Sequence, residues 1–258
     1  MIHYMSERQM PGRLIARMPA VIVAGVVLAG LALGLAGCSA DQKIVLNENG
    51  SGQGHLDIRL DPVFVAYLSD VGMGFGAHTD APLFDAEAVR GAFAERPGVT
   101  LNSIEVPRRD QLILDISFES VEHVLAMEGQ SLARFLRFER TKGFRRIAAE
   151  IDRRAIEHFT ELSGIDPVVV ESLMPPVPGM SRREYQDHLA WALEEYTHDR
   201  SLDAVFRDAV VVTDLFPSGK VVQLDGGVRQ GDGVRFNTSL VEAVTTPRPL
   251  RYSVVFVP

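Results

Sequence analysis

Between residues 53 and 60 apolar and polar side chains alternate: Leu56, Ile58 and Leu60 point one way, His55, Asp57 and Arg59 the other. That period of two predicts a half-buried strand. Residues 44–46 alternate more weakly before Asn47-Glu48-Asn49-Gly50-Ser51-Gly52, a turn sequence that makes the two segments a hairpin. Residues 39–43 are polar and are read as a short tether. Asp61-Pro62 then opens a helix, with Asp as N-cap, Pro at the first helical position and an apolar stripe of Phe64, Val65, Leu68 and Val71. Residues 72–81, with three glycines, are read as a loop, and 85–95 as a second helix with Val89 and Phe93 one turn apart.

The same patterns recur downstream. Residues 99–106 and 111–118 read as a hairpin, with Leu112, Leu114, Ile116 and Phe118 alternating cleanly. A short helix follows at 120–127, and residues 132–141 and 144–152 form another hairpin turning at Lys142-Gly143. Helices are expected at 153–163, 166–173 and 181–197, the last opened by a Ser181/Glu184 capping box, with a proline-rich connector at 174–180. Strands return at 204–215, 220–224, 233–239 and 250–257, with turns at 217–219 and 226–233. Trp191, the only tryptophan, sits beside apolar neighbours and is assigned to the core. Short turns make every local strand pair antiparallel, so the fold class is α+β: an antiparallel sheet built from hairpins, helices on one face, with a split β-α-β unit starting at Gln53. One continuous domain over 44–258 is preferred to a division near Ile151.

The first residues differ in kind. Residues 1–17 carry Arg8, Arg13 and Arg17 against Glu7, and residues 18–37 are uncharged and rich in Val, Leu, Ala and Gly. The run ends in Leu35-Ala36-Gly37-Cys38, and Cys38 is the single cysteine of the chain. A basic start, an apolar centre and small residues at a cut describe a secretory signal peptide. The competing readings are an uncleaved membrane helix, weakened by Gly25, Gly30, Gly34 and Gly37, and a buried thiol, a common fate for cysteine.

Removing residues 1–37 raises the excess of acid over base from the −8 of the whole chain to a net charge near −10. Such a surface does not attract nucleic acid through its phosphates, and an anionic bilayer repels it. With no second cysteine a disulfide framework is excluded. The histidines show no metal-ligand spacing, so neither a metal nor another cofactor is expected, and no catalytic residue is assigned. Gly72-Met73-Gly74-Phe75-Gly76 follows a helix rather than a strand, which argues against a nucleotide loop. Met73 and Phe75 are instead candidates for a gate over an apolar ligand. Asp225-Gly226-Gly227 and Gly231-Asp232-Gly233 lack alternating oxygen ligands and read as turns. Arg137, Arg140, Lys142, Arg145 and Arg146 cluster on one hairpin, read first as a solvated charged face and second as a seat for lipid phosphates.

Leu35-Ala36-Gly37-Cys38 resembles the lipobox of bacterial lipoproteins. The resemblance implies cleavage between Gly37 and Cys38, a diacylglycerol on the Cys38 thiol, and further acylation of the new amino group by chains of the palmitate kind. Residues 1–37 then form the signal peptide and 38–43 the lipidated tether. The hairpin that follows, with Asn47-Glu48-Asn49-Gly50-Ser51-Gly52, is similar to the opening of the LppM-like family of lipoproteins, as are the helix at Ser181-Arg182-Arg183-Glu184-Tyr185 and the terminal strand with Tyr252-Ser253-Val254. That family implies an α+β domain at the periplasmic face or outer membrane of a cell envelope. The function expected is a membrane-tethered, non-enzymatic binding domain for an amphipathic or lipid-like ligand. The alternatives are an envelope scaffold that binds another protein through a sheet edge and an enzyme with an unrecognised site.

Overall fold

The computed structural model describes residues 38–74, 83–127, 135–157, 174–177, 179–197 and 200–258. Strand β2 (Gly52–Leu60) buries Leu56, Ile58 and Leu60 and leaves Gln53, His55 and Arg59 to water. It pairs in antiparallel register with β1 (Cys38–Leu46) across a turn in which Gly50 adopts φ +88°, a conformation that favours glycine. Asn49 Oδ1 accepts from the Ser51 amide at 3.0 Å and shapes the same turn.

Helix α1 (Pro62–Gly74) is capped by Asp61, whose carboxylate accepts from the Val63 amide at 3.0 Å. Next come α2 (Ala86–Ala94), the hairpin β3 (Val99–Arg108) and β4 (Gln111–Phe118), and α3 (Val121–Met127). A second hairpin joins β5 (Leu136–Arg140) to β6 (Arg145–Ile151). Helix α4 (Arg182–Leu193) has the expected capping box, with both the Ser181 and the Glu184 side-chain bonds in place. Then follow α5 (Leu202–Asp208), β7 (Val210–Pro217), β8 (Lys220–Asp225), β9 (Val228–Gln230), β10 (Gly233–Ser239), α6 (Leu240–Thr245) and β11 (Leu250–Val257).

The strands form two sheets, one ordered β3-β4-β2-β1-β7-β10-β9 and one ordered β5-β6-β11-β8. The α+β class stands. β4 lies between β2 and β3 and is antiparallel to both, which makes β2-α1-α2-β3 the split β-α-β unit. Purely antiparallel pairing does not hold: β1 runs parallel to β7, with Ala40 beside Val211 and Leu46 beside Pro217. Strands from both sides of Ile151 therefore share one sheet.

Four other readings are corrected. Residues 39–43 are not a tether but the first half of β1, where Ala40 and Gln42 are 1% and 2% exposed. Small and polar side chains fill the inward positions, so the strand carries no apolar alternation. Residues 204–208 are helical, because Ser201 caps Ala204 and Leu202, Val205 and Phe206 fall at helical spacing. α1 runs on through Gly72, Met73 and Gly74 instead of ending in a loop before them. Trp191 is 80% exposed: α4 turns Tyr185, Leu189 and Leu193 inward, and Trp191 lies two residues, roughly 200°, around from Leu189. Two short elements went unforeseen, β9 within the glycine-rich turn and α6 after Ser239.

The inward face of the large sheet feeds two apolar clusters. The larger one packs Leu56, Ile58, Leu112 and Leu114 against Phe64, Phe93, Tyr185, Leu189 and Phe206 from the helices. The smaller one joins the sheets: Ile44, Leu46, Leu215 and Val234 from one meet Val221, Val254 and Phe256 from the other. No helix among the described residues is long and apolar enough to cross a membrane.

Candidate ligand cavity between the two sheets

Where the sheets face each other they leave a cavity of about 100 Å³. Its walls come from strands far apart in sequence. β1 supplies Ile44 and Leu46, β7 supplies Thr213 and Leu215, and β10 supplies Phe236. Opposite them stand Phe138 of β5, Ile147 and Ala149 of β6, and Tyr252 of β11, while α3 closes one side with Val121, Val124 and Leu125. Aliphatic and aromatic carbon dominates this lining. The volume equals roughly three waters' share of the liquid, and it lies below the 300–1,000 Å³ typical of drug-sized ligands. An apolar space of this size suits a short alkyl segment better than water, which needs polar partners.

Polar groups enter at few places. Arg137 lines one edge and donates through Nη2 to Glu150 at 2.7 Å. Tyr252 donates its hydroxyl to the Asn237 carbonyl at 3.2 Å, stands edge-on to Phe236 at 5.5 Å, and has its pKa raised by burial. Thr213 donates to Gln42 Oε1 at 3.2 Å.

The arginine hairpin beside the cavity is engaged within the protein. Arg140 reaches the Asn49 carbonyl and Glu122, Arg145 donates to the Glu48 carbonyl at 3.1 Å, and Arg146 pairs with Glu139. The bonds from Arg140 to Asn49 and from Arg145 to Glu48 tie the turn between β1 and β2 to the second sheet. Of the residues singled out from sequence, Cys38 is the first of β1 and Met73 lies in the last turn of α1. Gly37 and Phe75 lie outside the described residues. The cavity residues escaped sequence reading because each looks like an ordinary core position on its own strand.

One polar row crosses the outer face of the large sheet. Ser103 donates to Asp115 Oδ2 at 2.7 Å, and Asp115 Oδ1 meets His55 Nδ1 at 2.8 Å. The hydroxyl is bound to the carboxylate rather than to the imidazole, so the three do not make a nucleophile and its base. Hydrogen bonds from Ser103 and then His55 hold the Asp115 carboxyl below its ordinary value. Its stabilising effect is therefore present above about pH 3.9, the unfolded value, and is lost as pH falls through the lower folded value. Asp115 and His55 are each 46% exposed, so Asp115→Asn is expected to cost under about 1 kcal/mol at neutral pH. Urea unfolding across pH checks this: the gap between variant and wild type should close in acid, and a gap that widens there would refute it.

No protein-family model matches the chain, and no curated sequence matches it. A solved structure is similar in chain course. It is the folded domain of LppM from Mycobacterium tuberculosis, determined by NMR. The likeness covers 86% of this chain and 90% of that one, with a TM-score of 0.41 and 10% identity. No residue role is carried over from it.

Proposed function

We propose that this chain is a lipid-anchored protein of a bacterial cell envelope, held at Cys38, whose folded part is a non-enzymatic binding domain for an amphipathic, lipid-like ligand. The observation that carries the ligand reading is the carbon-lined cavity between the sheets. The sheet edges speak for it too, because each carries a feature that discourages an added strand. β3 contains Pro107 and two register shifts, and β8 carries an extra residue, Val222, opposite Val255 and Phe256 of β11. β5 reads Leu-Arg-Phe-Glu-Arg, alternating apolar and charged, and β9 is three residues long. The scaffold alternative needs an edge without such blocks.

Native mass spectrometry of the full chain extracted from its own envelope tests the reading, with Ala149→Leu as the paired variant. Ala149 lines the cavity, and a leucine there fills space an alkyl segment would occupy. Two displaced methylenes at ~0.8 kcal/mol each amount to roughly a tenfold loss of affinity. A co-purifying lipid whose occupancy drops in Ala149→Leu is the expected result. A wild-type spectrum free of any adduct beyond the covalent anchor would sink the proposal.

A further inference from the structure

The cavity is a gap between the two cores. Val124, Leu136 and Ile151 of its wall belong to the larger cluster, and Ile44, Leu46 and Leu215 to the smaller. Four residues with polar side chains touch it, and none turns a free donor inward. Arg137 alternates with Leu136 and Phe138, which face the cavity, and its guanidinium leaves the other face of β5 for Glu150. Ser253 likewise alternates with Tyr252 and Val254, and shares the outer face of the second sheet with its cross-strand neighbours Ala148 and Asp225. Thr213 donates its one side-chain proton to Gln42, and Tyr252 its own to the Asn237 carbonyl. Gln42 is itself buried and is not part of the wall. The backbones of β1, β6, β7, β10 and β11 are occupied too, because each of these strands lies between two hydrogen-bonded neighbours.

We propose that this cavity takes the methyl end of a lipid's hydrocarbon chain and leaves the head group outside, unread. The inference rests on the ligand-binding reading above and names the ligand class within it: lipids are selected by how the chain ends and not by the head group they carry. A wall of carbon with no donor to spare makes no net hydrogen bond that could prefer one head group to another. The same wall penalises a polar group at the tip of the chain, which would lose water and gain no partner. At about 30 Å³ per heavy atom, the share a water takes of the liquid, the cavity of about 100 Å³ holds roughly three carbons. The rest of a longer chain runs out to the surface, where its head group stays in water.

The test is a competition read by native mass spectrometry of the full chain. An amphipol keeps it in solution, because an alkyl detergent would itself compete, and concentrated ammonium acetate screens the net charge. In one arm, equimolar lysophosphatidylethanolamine, lysophosphatidylglycerol and lysophosphatidylcholine, all with dodecanoyl chains, compete. In the other, dodecanoyl lysophosphatidylcholine competes with its analogue bearing a hydroxyl at the chain's tip. The three head groups are expected to load equally, within about twofold, and the hydroxyl tip to bind about tenfold more weakly than the methyl. Ala149→Leu should lower every adduct. One head group enriched beyond that range, up to the roughly tenfold of one net hydrogen bond, would overturn the proposal. So would a hydroxyl tip that loads as well as the methyl. If no probe gives an adduct, or the adducts survive Ala149→Leu unchanged, the ligand-binding reading itself fails.

Discussion

Cys38→Ala is expected to abolish incorporation of labelled fatty acid and to leave the chain either released from the membrane or as an uncut precursor retaining residues 1–37. The effect is all-or-none, because Cys38 is the only cysteine and no other side chain forms a thioether. Each buried methylene contributes ~0.8 kcal/mol, so two or more acyl chains give stable anchoring where one would be marginal. The net negative charge supplies no substitute attraction to anionic lipid. Alanine at the first residue of β1 keeps the backbone pairing with Leu60, so the fold should survive and the loss can be read as loss of the anchor. Membrane fractionation, electrophoretic mobility and acyl labelling check it together. A variant indistinguishable from wild type in all three would end the lipoprotein assignment.

Phe256→Ala is expected to cost about 3–5 kcal/mol of folding free energy, the usual penalty for emptying a phenylalanine site in a core. Phe256 is fully buried in β11, between Arg145 on β6 and Val221 on β8, in the cluster that joins the two sheets. Few residues hold that junction, so little can collapse into the gap. Against a typical stability of 5–15 kcal/mol, the loss takes a large share of the total. Urea denaturation with Val257→Ala, a half-exposed neighbour, as control measures it. A midpoint equal to that of the control would mean the sheets are held together elsewhere.

The sequence made some elements plain and hid others for identifiable reasons. Leu112, Leu114 and Ile116 alternate because β4 has helices beneath it and water above, and such a strand announces itself. The first half of β1 is silent because its inward positions are Ala40 and Gln42, which have no apolar signature. Trp191 misleads through its bulk, since the face of α4 is set by the spacing of Tyr185, Leu189 and Leu193. The parallel pairing of β1 with β7 leaves no local trace, because Ala40 and Val211 meet only in the finished fold. The same holds for the cavity, whose walls come from both sheets and α3. Cys38 stands out by the local pattern Leu35-Ala36-Gly37-Cys38, whereas no local pattern marks the residues that line the cavity.

The position of Cys38 at the head of a central strand has a consequence for how long such a protein stays where it is put. Many surface proteins hang from a floppy stalk that a protease can sever, letting the folded part drift off intact. Here β1 is hydrogen-bonded on both flanks within two residues of Cys38, to β2 from Cys38 onward and to β7 from Ala40. A protein acylated at Cys38 would have no stalk to cut. Shedding it would require pulling the middle strand out of its sheet, so detachment and unfolding would become the same event.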